Sequence, residues 1–230
     1  MIKYFVRTTG ERTLDESFSQ IEYELLVDKE HNARKSFVEQ LEYLATLDED
    51  VVLLEDDVIL CKDFKTKIEK VISEYKDYVI NCFYNPGYYF STHLSESFNW
   101  NQCIYYPKEI LKLLSKEMRH QYTLYPDVQH DVVEGRALSL LRIPNIIYRP
   151  CLVQHLDKDS LIQGHTDGRR RTPYFIDYLD ELGISYDEAY KYKDELVKLM
   201  NKKFENYKKE MEYFVRDSYR TINDIKEERK

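Results

Sequence analysis

Three consecutive carboxylates interrupt an apolar run, and this constrains the chain more than any other feature. Val51-Val52-Leu53-Leu54 leads directly into Glu55-Asp56-Asp57, after which Val58-Ile59-Leu60 resumes the apolar pattern. A continuous aliphatic run without helical period predicts a buried strand of a mostly parallel sheet. Three charges cannot stay unpaired inside such a core, because desolvating each costs several kcal/mol. They must therefore emerge at the strand's end, in the crevice where α/β sheets hold ligands. Oxygen ligands placed there suit a hard divalent cation, Mn²⁺ or Mg²⁺, which often also takes phosphate oxygens from a substrate. The plainer reading is an exposed acidic turn, which the apolar flanks disfavour.

The remaining composition narrows the class. A chain of 230 residues with 43% hydrophobic content holds one α/β domain, alone or with an appendage. The formal net charge of −8 argues against broad nucleic-acid binding, although a local basic groove stays compatible with it. The 21 tyrosines suit interfaces and sugar binding, since each offers an apolar face and a hydroxyl. No apolar run is long enough to predict a transmembrane segment, and the charged N-terminus does not read as a signal peptide. Cys61, Cys82, Cys103 and Cys151 form no Cys-x-x-Cys pair, which favours reduced thiols and a cytoplasmic location.

Along the chain, Ile2 to Val6 and Tyr23 to Val27 read as strands. Asn32 caps a helix from Ala33 to about Leu47. A helix follows from Phe64 to Tyr75, then a strand from Tyr78 to Phe83 and an irregular aromatic stretch to Asn101. Cys103 to Tyr106 reads as a strand, with Pro107 opening a helix over Lys108 to Met118. Asp131 and Glu134 have capping-box spacing at the start of a periodic segment ending near Leu141. Ser185 and Glu188 repeat that spacing ahead of a Lys/Glu-rich tail without Gly or Pro. In the tail Tyr190, Val197, Phe204 and Met211 recur at sevens, which predicts a long helix or helical hairpin packed on the core or on a second copy as a homodimer.

The strand ending in Glu55-Asp56-Asp57 resembles the metal-binding acidic motif of GT-A glycosyltransferases. Pro150-Cys151-Leu152-Val153-Gln154-His155, followed by Ser160, is similar to the closing segment of several GT-A families. Gln102, the short strand after it and the Pro107 helix also resemble bacterial lipopolysaccharide-type members. The resemblance implies that Asp57 and His155 bind the metal, while Glu55 and Asp56 contact ribose or a metal-bound water. It further implies that Arg7, Thr8, Thr9 and Asp28, with Arg34, surround the nucleoside, and that Lys158 and Ser160 touch the diphosphate. Asp131 stands where such enzymes often carry the catalytic base, with Asp127 and Glu134 as substitutes. A solvated helix face for Arg34 and a structural hydrogen bond for His155 are the competing readings.

The expected fold is thus α/β, a GT-A-like (Rossmann-like) mixed sheet flanked by helices, with a catalytic domain over 1–172 and a helical C-terminal extension over 173–230. The expected activity is metal-dependent transfer of a sugar from a nucleotide-diphosphate sugar donor to an acceptor hydroxyl, with inversion. The acceptor would be a glycan or, as a minority reading drawn from Arg169-Arg170-Arg171 and the compact size, a hydroxymethylated base in phage DNA. Two rival readings are a metal-dependent nucleotidyl- or phosphotransferase, and a non-catalytic interaction protein with a degenerate transferase domain.

Overall fold

The computed structural model describes residues 1–85, 100–156 and 172–192. Its centre is a six-stranded mixed sheet in the order β2-β1-β3-β6-β5-β7. The strands are β1 (Ile2–Thr8), β2 (Glu24–Val27), β3 (Asp50–Glu55), β5 (Val79–Asn81), β6 (Cys103–Tyr106) and β7 (Asn145–Ile147). β1 runs parallel to both β2 and β3, β6 runs antiparallel to β3 and β5, and β7 is parallel to β5. A separate two-stranded antiparallel sheet joins β4 (Val58–Leu60) to β8 (Val153–His155).

Strand alternation divides the core into two layers. Phe5, Val51, Leu53, Ile104 and Tyr106 face α1 (Ala33–Ala45), α3 (Lys108–Leu124) and α4 (His130–Leu140). Tyr4, Val6, Val52, Leu54 and Tyr105 face the other way. They meet α2 (Phe64–Glu74), the small sheet, α5 (Ile176–Leu182) and α6 (Tyr186–Lys191). Tyr174, Phe175, Tyr178, Leu179 and Ala189 are therefore part of the same core as the central strands. A short 3₁₀ helix, Glu16–Gln20, which sequence reasoning did not foresee, adds Phe18 to this layer.

Most elements fall where the sequence places them. Asn32 caps α1 by accepting from the Lys35 N–H, and Ser185 with Glu188 forms the predicted capping box of α6. Three expectations are corrected. The apolar run around the acids is two strands in two sheets, because the chain turns at Asp56-Asp57. α3 continues past Met118 to Leu124, since its next breaker is Pro126, which disfavours helix at Tyr125. Asp131 and Glu134 form no capping box: Gln129 holds the N-cap position, and Glu134 turns into the core toward Tyr106 and Asn101.

α6 closes at Lys191 with Tyr192 as its C-cap, and the apolar stripe from Val197 onward lies outside the described residues. No helix among the described residues is long and apolar enough to cross a membrane. All four cysteines are free thiols buried in the core.

Leu41 of α1 is fully buried against the sheet. Leu41→Ala should lower the unfolding free energy by about 2–5 kcal/mol, the usual range for a truncated core leucine. Urea titration checks this, and a loss well under about 1 kcal/mol would mean that α1 does not pack as described.

Candidate active site

Three parallel strands, β2, β1 and β3, end at one edge of the sheet, and β3 ends at Glu55. There the chain turns through Asp56-Asp57 before entering β4. Pairing of Val58 with His155 in the small sheet brings the closing strand back to that turn. The Leu156 N–H donates to the Asp57 carbonyl at 2.6 Å, which clamps the two segments together. Residues far apart in sequence thus meet because one strand ends where another begins.

Each acid has its own partner. The Arg7 guanidinium pairs with Glu55, donates to Gln40 Oε1 at 2.7 Å, and lies 4.6 Å from the Phe37 ring centroid. Arg7 is only 6% exposed, so its charge positions Glu55 and is turned away from solvent. Burial raises the Glu55 pKa to about 7; Arg7 opposes this, and Asp57 and Asp56 add to it. Thr8 Oγ1 donates to Asp56 Oδ2 at 2.6 Å, and Arg12 reaches Asp56 Oδ1 at 3.2 Å. Burial raises the Asp56 pKa, against the bonds from Thr8 and Arg12.

Asp57 Oδ2 is the meeting point. It accepts from Arg12 at 3.1 Å and stands 3.4 Å from His155 Nε2. His155 is 1% exposed, and its Nδ1 lies 2.6 Å from the Leu156 carbonyl oxygen. A carbonyl only accepts, so Nδ1 carries a proton, and Nε2 is the ring nitrogen that faces the carboxylate. Two electron-rich atoms in that relation need a cation between them, either a proton or a metal ion. The pair suits a metal: two donors from different strands, an imidazole held in one tautomer by a backbone carbonyl, and an oxygen ligand beside it. Among the described residues no group of three or more His, Cys, Asp or Glu side chains converges on one point. Further ligands to such an ion would come from water or substrate.

The other predicted residues are distributed unevenly. Asp28 and Thr9 lie just beyond the ends of β2 and β1, on the crevice side. One Asp28 oxygen accepts from the Glu30 N–H, while its other oxygen and Thr9 Oγ1 are buried without a partner. Arg34 reaches the Pro126 carbonyl at 3.1 Å and Asp127 at 3.7 Å, the solvated helix face of the competing reading. Lys158 and Ser160 lie outside the described residues.

Asp131 sits in the first turn of α4, its carboxylate bonded to the Val132 N–H at 2.8 Å and close to the Trp100 N–H at 3.5 Å. Trp100-Asn101-Gln102 ties it to the acids, because Gln102 accepts from the Glu55 N–H and Asn101 bonds Glu134. Burial raises the Asp131 pKa, and the hydrogen bonds from Val132 and Trp100 lower it. The helix terminus therefore does not dominate as the sequence suggested; desolvation does, which strengthens the carboxylate as a base.

Two residues are partnered in ways the sequence did not specify: Arg12, one of the two guanidiniums of the loop after the first strand, and Glu134, expected as a substitute base. Arg12 had no spacing signal; it reaches the acids because Gly10 adopts φ +82°, a left-handed turn open to glycine. Glu134, fully buried, accepts from Tyr106 at 2.6 Å and Asn101 at 2.8 Å. Burial pushes its pKa up to about 8 against those two bonds.

No family model matches the chain, and no curated protein matches it. Among solved structures, the chain is similar to A197 from STIV at 14% identity and a TM-score of 0.42, over 68% of this chain and 86% of that one. At that score the likeness fixes neither a family nor an activity.

The Glu134 carboxyl yields a pH prediction. Its folded pKa of about 8 exceeds the model-compound value of 4.5, so the folded state keeps a proton that the unfolded state releases. Its contribution is full below about pH 4.5 and is lost as pH rises through about 8. In Glu134→Gln this dependence should vanish, so the wild-type Tm should fall relative to the variant between about pH 5 and about pH 8. Parallel Tm profiles would contradict the assignment.

Proposed function

We propose that the protein is a GT-A-like, metal-dependent glycosyltransferase that takes a sugar from a nucleotide-diphosphate donor. The observation that carries this reading is the facing of His155 Nε2 and Asp57 Oδ2 at 3.4 Å, with the imidazole tautomer set by the Leu156 carbonyl. This pair lies at the carboxyl end of the central parallel strand, where α/β sheets bind nucleotides. A bound Mn²⁺ or Mg²⁺ would supply neutralisation of the departing diphosphate.

In this reading the chain's own residues divide the work. Asp57 and His155 hold the ion. Thr8 and Arg12 fix Asp56, and Arg7 fixes Glu55, so both carboxylates can meet the ribose or a metal-bound water. Asp28 and Thr9 stand beside the nucleoside at the ends of β2 and β1. Lys158 and Ser160 contact the diphosphate. Asp131 accepts the acceptor hydroxyl's proton on the face opposite the leaving group, giving inversion. The acceptor is a saccharide or a lipid-linked glycan, with a hydroxymethylated DNA base as the lesser option. Strong loss of activity with salt would mark a DNA acceptor, because phosphate contacts carry that dependence.

Asp57→Asn and His155→Ala should each remove the Mn²⁺-dependent thermal shift with a nucleotide-sugar panel while preserving the circular dichroism spectrum. Retention of the full shift in both variants would contradict the metal assignment. Asp131→Asn should still bind donor and Mn²⁺ yet lose turnover by about 10²–10⁴-fold, as expected of a general base. Near-normal turnover, or a product with the donor's anomeric configuration, would reduce Asp131 to a structural residue.

A further inference from the structure

The arrangement of Arg12 has a consequence for how such an ion binds. Its Nη1 donates to Asp57 Oδ2 at 3.1 Å and to Asp56 Oδ1 at 3.2 Å. The side chain is only 11% exposed, and the same Asp57 oxygen is the one that faces His155 Nε2. A guanidinium and a divalent ion drawn to one carboxylate oxygen repel each other strongly, since both charges sit within a few ångströms in a half-buried site.

We propose that Arg12 is a tethered counter-cation of the acid turn, one that competes with the metal until a diphosphate arrives. This inference rests on the glycosyltransferase reading and deepens it. Without donor, Arg12 neutralises Asp56 and Asp57, which keeps two adjacent buried carboxylates tolerable and makes metal binding weak. The diphosphate brings negative charge between the two cations. Arg12 then releases Asp57, keeps its hold near Asp56, and donates to a diphosphate oxygen as a charge-assisted bond. Metal and donor thus bind with positive coupling, and that coupling acts reciprocally. The loop supports such a swing: it leaves β1 at Thr8, turns at Gly10 with φ +82°, and carries Arg12 two residues later. Thr8 fixes that turn by accepting from the Gly10 N–H at 2.9 Å while donating to Asp56. Asp56 therefore keeps a partner when Arg12 moves.

The test compares wild type, Arg12→Gln and Arg12→Lys, all checked for matching circular dichroism and cooperative melting. Binding of Mn²⁺ alone is followed by the electron paramagnetic resonance signal of the free ion. Binding of uridine diphosphate and guanosine diphosphate at saturating Mn²⁺ is followed by calorimetry. Arg12→Gln should bind Mn²⁺ alone more tightly by about tenfold or more, within the ~5–150-fold usual for coupled sites, and bind the diphosphate more weakly. Arg12→Lys keeps the charge and should resemble wild type in the Mn²⁺ arm. If Arg12→Gln binds Mn²⁺ and diphosphate as wild type does, the role of Arg12 is overturned and the metal site stands. If no protein binds Mn²⁺ with or without diphosphate, both the role of Arg12 and the metal-dependent reading fall. If Arg12→Gln does not fold, Arg12→Lys decides. A weaker hold on diphosphate with wild-type Mn²⁺ affinity then supports the proposal, because a single-point charge cannot reproduce the planar fork. Wild-type behaviour in both arms overturns it.

Discussion

The structure depends on the need to neutralise three carboxylates at the end of a buried strand. Glu55, Asp56 and Asp57 follow four aliphatic residues that are at most 1% exposed, so the chain has no room to turn the acids away. Charged and polar partners come from different parts of the protein: Arg7 and Thr8 from β1 and Arg12 from the loop behind it, while His155 of β8 faces Asp57. Removing one partner leaves a buried charge uncompensated, which costs several kcal/mol.

The same constraint shapes the layer beneath. Arg7 is locked by Gln40, the Ala33 carbonyl and the Phe37 ring, so α1 is tied electrostatically to the strand it covers. In the same layer, Tyr106 and Asn101 share the Glu134 carboxyl, which links β6 to α4, whose first turn holds Asp131. The small sheet does the equivalent for His155: Gln154 accepts from both the His155 and Thr172 N–H groups and returns a bond to the Thr172 carbonyl. A fully buried amide with all these bonds fixes the backbone that aims the imidazole.

Features set by local pattern were legible in the sequence. The Asn32 and Ser185 caps and the strand leading to Glu55 follow from residue type and order, while the proximity of Asp57 to His155 was implied by the family resemblance. Features set by tertiary contact were not. Asp131 and Glu134 have the spacing of a capping box, yet the buried hydroxyl of Tyr106 and the amide of Asn101 draw Glu134 inward. Arg7 reads as a guanidinium offered to a nucleotide, but the need to pair Glu55 turns it into the core. Arg12, five positions on in the loop after β1, faces the acids beyond the turn at Gly10. Which arginine pairs with Glu55 and which with Asp56 and Asp57 is decided by where β1 ends and the chain turns, and the local sequence does not carry that information.

The central claim is that Asp57 and His155 share one divalent cation in the presence of a nucleoside diphosphate. The most direct measurement is an anomalous difference map from crystals grown with Mn²⁺ and uridine or guanosine diphosphate, recorded at the manganese edge. The account predicts one strong peak about 2 Å from both Asp57 Oδ2 and His155 Nε2, the usual metal–ligand distance, with diphosphate oxygens on its open side. A peak bound elsewhere, or a diphosphate seated in the crevice with the two side chains still in direct contact and no metal between them, would contradict it.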